Sequence, residues 1–177
     1  MRHLVEKWDA YTVDRVKLSK TVISDEELKT DEYRIVIGGC IFNKKNQMLI
    51  QKRQSTKKTW ANMWDISVSG SAISGETSAE AAQREIKEEL GLDFSLKGQL
   101  PQLSVSFTKG FEDYYLIEED VDINEVVLQV EEVQDVRWAT LEEIRKMMEI
   151  GDFIPYHEHL ISLLFEMKTT YGSYKYE

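Results

Sequence analysis

An α+β fold built on a mixed sheet is predicted by three observations. The run Tyr33–Phe42 (YRIVIGGCIF) is apolar along its whole length, with too little polar alternation for a surface strand, and reads as a central strand buried on both faces. Two capping boxes, Thr77 with Glu80 and Thr140 with Glu143, each open a helical pattern. Shorter strand-like runs lie before, between and after those helices. A chain of 177 residues suits one domain with a sizeable core, taken here as 1–177, with 1–32 an N-terminal extension packed on a 33–170 core.

In order along the chain, Trp8, Tyr11, Val13 and Val16 predict a short hairpin, and Ser24 to Glu27 has the spacing of a capping box that would open a single helical turn. The extension has the composition of a cover for a sheet edge or a contributor to a homodimer. Tyr33–Phe42 is followed by an Asn43–Asn46 turn and by Gln47–Arg53 (QMLIQKR) as its hairpin partner. Trp64–Val68 is a strand leading into a loop that begins at Gly70. After the helix at 77–91, strands are expected at Phe94–Leu96, Leu103–Phe107, Gly110–Ile117, Val126–Val130 and Val136–Trp138. A helix from Thr140 to about Glu149 follows. Pro155 fits the first turn of a last helix, in which Leu160, Leu163, Leu164 and Met167 form an apolar stripe for the core or a dimer interface.

The chemistry concentrates between Gly70 and Leu92 (GSAISGETSAEAAQREIKEELGL). Thr77, or alternatively Ser78, caps the helix, and Gly91 stands where a left-handed residue ends it. Glu85, Glu88 and Glu89 sit at i, i+3 and i+4 and share one face, with Glu76 just before the helix and Ala79, Ala82, Ile86 and Leu90 on a neighbouring apolar face. Like charges at i,i+4 cost a few tenths of a kcal/mol in an isolated helix, so such a cluster beside a buried face calls for a cation. Carboxylates are hard ligands and suit Mg²⁺, Mn²⁺ or Ca²⁺ better than Zn²⁺. Arg84, one turn before Glu88, is placed to fix that carboxylate's rotamer.

Gly70, then Glu76, then Arg84-Glu85-Ile86-Lys87-Glu88-Glu89-Leu90-Gly91-Leu92 resembles the full Nudix box, G-x5-E-x7-R-E-U-x-E-E-x-G-U with U aliphatic, and every fixed position is filled. The resemblance implies an α/β/α sandwich and Mg²⁺- (or Mn²⁺-) dependent attack of water on a diphosphate. It also implies that Glu85, Glu88 and Glu89 act as catalytic metal ligands, that Gly70 offers its carbonyl, and that Glu76 acts directly or through water. Arg84 joins the catalytic set. Members differ in the general base, which is a box glutamate or a later acid; Glu112, Glu131 and Glu132 are the later candidates. The stretch Trp64-Asp65-Ile66-Ser67 resembles a subgroup that includes isopentenyl-diphosphate isomerase. In that family a Cys precedes and a His follows the box glycine, where this chain has Ser69 and Ser71. A hydroxyl is a far weaker acid than a thiol, which counts against isomerase chemistry. A non-catalytic diphosphate-binding module is the third reading; loss of box acids would favour it, and none is lost.

Basic residues that converge near such a site hold diphosphates. Lys52 and Arg53 at the end of their strand, and less so Lys57 and Lys58, are candidates for substrate binding or for solvated surface, and Trp60 either stacks on a substrate ring or packs its loop. Charged residues at 31% and hydrophobic ones at 42% describe an ordinary globular protein, while the net charge of −10 argues against a nucleic-acid polymer as a general partner. The lone Cys40 cannot form an internal disulfide. With no apolar segment in Arg2–Lys7 and no run of transmembrane length, a cytoplasmic protein acting on a small-molecule diphosphate is expected, with no membrane partner.

Overall fold

The computed structural model describes residues 5–175. Its centre is β3 (Arg34–Phe42), the apolar run, whose residues from Gly38 to Phe42 are all buried. β8 (Gly110–Glu118) lies parallel to β3 over its full length, Arg34↔Gly110 to Phe42↔Glu118, and β7 (Leu103–Phe107) extends that edge antiparallel to β8. β6 (Val68–Ser71) pairs antiparallel on the other side of β3.

The Asn43–Asn46 turn forms as expected: the Asn43 side chain accepts from the amides of Lys45 and Gln47, each at 3.0 Å. Its outgoing strand β4 (Gln47–Arg53), however, meets β3 only at Phe42↔Met48 and then diverges to pair with β5 (Trp64–Asp65) and β9 (Val133–Thr140). The segment expected as one strand over Trp64–Val68 is split by this divergence. It pairs first with β4 (Asp65↔Gln51), then crosses to β3 (Val68↔Gly39). Ser67 fills the wedge, accepting from the Ile41 amide at 2.8 Å and donating to the Leu49 carbonyl. Gly70 therefore lies within β6 rather than opening the loop.

Helix α1 (Ser78–Leu90) buries Ala81, Ala82, Ile86 and Leu90 against Ile37, Ile41, Leu49 and Val68 on one face of the sheet. Thr77, not Ser78, is the N-cap of a complete capping box, and Gly91 ends the helix at φ +68. Helices α2 (Leu141–Glu149) and α3 (Glu158–Met167) cover the opposite face over Phe42, Met48, Ile50 and Leu116, with Phe165 edge-on to Phe42 at 5.0 Å. The result is an α/β/α sandwich of mixed sheet. α3 faces inward through Ile161, Leu164, Phe165 and Met167, while Leu163 points out. β1 (Lys7–Tyr11) and β2 (Lys17–Ile23) form the N-terminal hairpin, joined to the core by the Tyr11↔Tyr33 bridge.

Four further expected elements differ. Phe94–Leu96 is not a strand: no strand among the described residues pairs with it, and the Leu96 amide donates to the Gln83 side chain at 3.2 Å. Val126–Val130 is not a strand either. It follows a 3₁₀ turn at Ile123–Glu125, and its amides at Val127 and Gln129 donate to the carbonyls of Leu90 and Glu89, satisfying groups that the end of α1 leaves open. Ser24 begins a turn rather than a helix, because its hydroxyl accepts the Glu6 amide instead of capping. Pro155 precedes α3 by three residues: Phe153 and Ile154 are tied to Trp64 in extended form, the conformation that a following proline favours.

Candidate active site

The site is assembled where β6, the loop after it, α1 and β4 meet. β6 carries Gly70 up to the side of α1 at Glu85. A Cβ on Gly70 would overlap the Glu85 carboxylate, so only glycine leaves room for that side chain. Glu85 and Glu89 are both buried, at 8% and 6% exposure, whereas the Glu88 side chain is half exposed. Burying two carboxylates one turn apart is costly, and their protonation reflects it. Burial pushes the Glu85 carboxyl up to about 7, against the pull of the Arg84 guanidinium. Burial, then the neighbouring charge of Glu85, pushes Glu89 well above the usual carboxylate range.

Arg84 organises the remaining acids. Its guanidinium donates to both oxygens of Glu76 (2.7 and 3.1 Å), to Glu85 Oε1 (2.9 Å), to Glu88 Oε2 (3.0 Å) and to the Ser71 carbonyl (3.0 Å). Glu76 also accepts the Ile73 amide at 3.1 Å. One cation thus holds three of the four box acids and the strand beside Gly70. Gln51 of β4 reaches Glu89 from below, donating Nε2–H to Oε2 at 2.9 Å. Its own Oε1 is buried without a partner among the described residues. Sequence reading missed Gln51; the signal was a polar residue inside the buried Leu49-Ile50-Gln51 run, which must find a partner.

The arrangement fits a divalent cation in three respects. The donors are carboxylate oxygens, the desolvated pair Glu85/Glu89 lacks a full counter-charge, and the Gln51 oxygen is unused. Among the described residues no three His, Cys, Asp or Glu side chains already stand together as a metal cage; the acids are instead gathered around Arg84. A stability signature follows. Glu85 and Glu89 hold protons more tightly folded than unfolded, so both contributions are intact below about pH 4.5, and the part from Glu85 is lost as pH climbs through about 7. Metal-free protein is expected to melt lower near pH 7.5 than near pH 5, and the gain from Mg²⁺ to grow over the same interval, a few °C in scanning fluorimetry. A flat metal response across that range would leave the pair without its assigned role.

The basic and aromatic candidates are not gathered at the carboxylates. Alternation along β4 sends Gln51 towards α1 and Lys52 to the other face, where its Nζ stands 5.9 Å from the Trp64 ring centroid. Arg53 is nearly buried and pairs with Asp65 at 3.3 Å. Lys57 pairs with Glu132 and Lys58 with Asp25. Trp60 is 49% exposed in a left-handed conformation at φ +53. Of the later acids, Glu132 follows the segment bonded to the end of α1, and its charge adds to the upward push on Glu89. Glu112 lies on the α2/α3 face of β8 near Asp65, with its carboxyl raised by burial. Asp65, buried and raised for the same reason, accepts from Tyr156 Oη (2.7 Å), Ser69 Oγ (3.1 Å) and its neighbour's amide.

Comparison with known proteins matches a family model described as the NUDIX domain over residues 32–160. The chain belongs to the Nudix hydrolase family. A relative from Listeria innocua, an uncharacterized Nudix hydrolase, is 45% identical over 164 residues, covering 93% of this chain and 96% of the relative. An isopentenyl-diphosphate delta-isomerase of Photorhabdus laumondii is 30% identical over 61% of this chain and 63% of its own. A crystal structure from Deinococcus radiodurans shares the fold with a TM-score of 0.73 at 22% identity, over 91% of this chain and 98% of that one. The Nudix box lies within the matched span, and the hairpin over Lys7–Ile23 lies outside it. No helix among the described residues is long and apolar enough to cross a membrane.

Proposed function

We propose that this Nudix chain hydrolyses a diphosphate linkage in a nucleoside diphosphate bound to another group, or in a related organic diphosphate, with Mg²⁺ or Mn²⁺. The observation that carries the reading is the desolvated pair Glu85/Glu89, packed on a glycine that leaves room for one of them. Glu85, Glu88 and Glu89, with Glu76 and the Gly70 carbonyl, would hold the metal. When bound, the ion offsets the charge of the diphosphate and lowers the pKa of coordinated water.

The chain's own residues do the rest. Arg84 keeps Glu85 and Glu88 at a fixed distance from Gly70 by gripping both carboxylates and the Ser71 carbonyl. Gln51 holds Glu89 in one rotamer. Glu132, on the α1 side of the sheet, is the later acid best placed to accept a proton, ahead of Glu131 and of Glu112 on the other face. Lys52, Arg53 and Trp60 serve substrate contacts in this reading only as far as the surface near Trp64 is used. The same reading takes residues 1–177 as one unit, acting on a small molecule in the cytoplasm, where a buried, free Cys40 stays reduced. The test is a screen for phosphate or nucleotide release across organic diphosphates with Mg²⁺; the expected result is metal-dependent turnover of at least one. No turnover of any diphosphate, together with no metal-dependent stabilisation, would overturn it.

The similarity to isopentenyl-diphosphate isomerases makes that activity the competing reading. Ser69 and Ser71 stand beside the box glycine, and both hydroxyls are engaged: Ser69 donates to Asp65, and Ser71 accepts from Arg34 at 2.8 Å. Neither is an acid of the required strength. The purified protein is expected to form no allylic product from isopentenyl diphosphate; formation well above the uncatalysed rate would reverse the assignment.

A further inference from the structure

We propose that the N-terminal hairpin, outside the matched Nudix span, is a positioning strap for the loop that delivers the metal-binding acids, with Asp9 as its clasp. The inference rests on the metal reading above. Three bonds carry it. Asp9 is 5% exposed, and its two oxygens accept Ser74 Oγ–H and the Gly75 amide, each at 2.8 Å. The Lys7 carbonyl accepts the Ser74 amide at 2.7 Å. At the other end of the loop, Trp8 of the hairpin lies under the Arg34 guanidinium at 4.3 Å, and Arg34 in turn donates to Ser71 Oγ. The hairpin thus grips Ser74–Gly75 directly and Ser71 through Arg34, three of the five residues between Gly70 and Glu76.

A side chain like Asp9 is expensive to bury merely to hold a hairpin in place. The hairpin has its own apolar attachment through Ala10 and Val22, its bridge to Tyr33, and an ion pair from Arg15 at its tip to the buried Asp113 of β8. Asp9 instead points at a turn outside the sheet, one oxygen taking a hydroxyl and the other a backbone amide. Beyond Gly75 the contacts are continuous: Glu76 to Arg84, Arg84 to Glu85 and Glu88. Loosening the loop would let Glu76 withdraw and release Arg84 from the position that sets the spacing of the carboxylates. Lys17 pairs with Asp9 at 2.6 Å from the solvent side and keeps it ionised as a double acceptor.

The test reads metal binding and local opening directly. Free Mn²⁺ is titrated by electron paramagnetic resonance against wild type, Asp9→Ala, Asp9→Asn and Ser74→Ala, and amide exchange is followed at Gly75 and Glu76. Residues supporting a metal site from outside its ligand set typically change affinity 10- to 100-fold, so Asp9→Ala is expected to weaken Mn²⁺ about 10-fold and lower kcat with little change in KM. Asp9→Asn keeps one acceptor and should fall between, and Ser74→Ala, a mild change on the loop side, should give a smaller loss of the same kind if Asp9→Ala fails to fold. Exchange at Gly75 should quicken while β3 and β8 stay protected. A folded Asp9 variant with a lower Tm but wild-type Mn²⁺ affinity and kcat would make the hairpin purely structural and overturn the strap. Failure of the wild type itself to bind Mn²⁺ would instead overturn the metal reading, and the strap with it.

Discussion

Replacing Glu85 by Gln is expected to cost on the order of 10²-fold or more in hydrolysis, about 2.7 kcal/mol in the barrier, while the protein folds as before. Glu85 is the acid that lies against Gly70 and also accepts from Arg84, so it joins β6 to the helix. Gln is close to isosteric and a good helix former, so the helix has no reason to fray. Stability should stay level or rise in metal-free protein, because burial already disfavours the charge that the substitution removes. The same change should shrink the thermal shift produced by Mg²⁺. Steady-state rates on a substrate from the screen, paired with melts with and without metal, check both halves. Activity within a few-fold of wild type would move the weight to Glu88 and Glu89.

The parts of this fold that were legible in the sequence are those whose cause is local. The β3 run, the two threonine capping boxes and the Gly91 stop each carry their signal within a few residues, and each formed. The acidic face of α1 was readable from spacing alone, and the Nudix resemblance rested on it. What escaped was decided at a distance. Val126–Val130 has the composition of a strand, but its amides are taken by open carbonyls at the end of α1, some 40 residues earlier in the chain. Trp64–Val68 reads as one strand and is two, because β3 and β4 splay and the chain must change partners at Ser67. Lys52 and Arg53 looked like a basic pair beside the motif, yet strand alternation sends Lys52 to the other face and Asp65 takes up Arg53. Gln51 and Asp9 are single polar residues in ordinary contexts. Only the folded chain shows that one reaches Glu89 and the other the loop before α1.

Gly70→Ala is expected to damage both stability and activity, for a reason that can be isolated. Gly70 does not have a left-handed backbone, so alanine meets no conformational penalty there. Its added Cβ would instead overlap Oε1, Cδ and Cγ of Glu85. Overpacking of this kind costs about 1–3 kcal/mol, and relief requires Glu85 to swing away from β6 and from Arg84. Hydrolysis should then fall on the order of 10²-fold, like the loss from removing the carboxylate itself. Two comparisons separate this from a generic glycine effect. Gly75 has φ +93 and open space around its Cβ position, so Gly75→Ala should cost about 1 kcal/mol of backbone strain without crowding Glu85. In a Glu85→Ala background the Gly70→Ala clash disappears, so its stability cost should largely vanish even though activity stays low. Denaturant melts of the four proteins in that cycle give the coupling directly. An equal cost for Gly70→Ala in both backgrounds would show that the glycine is there for some purpose other than seating Glu85.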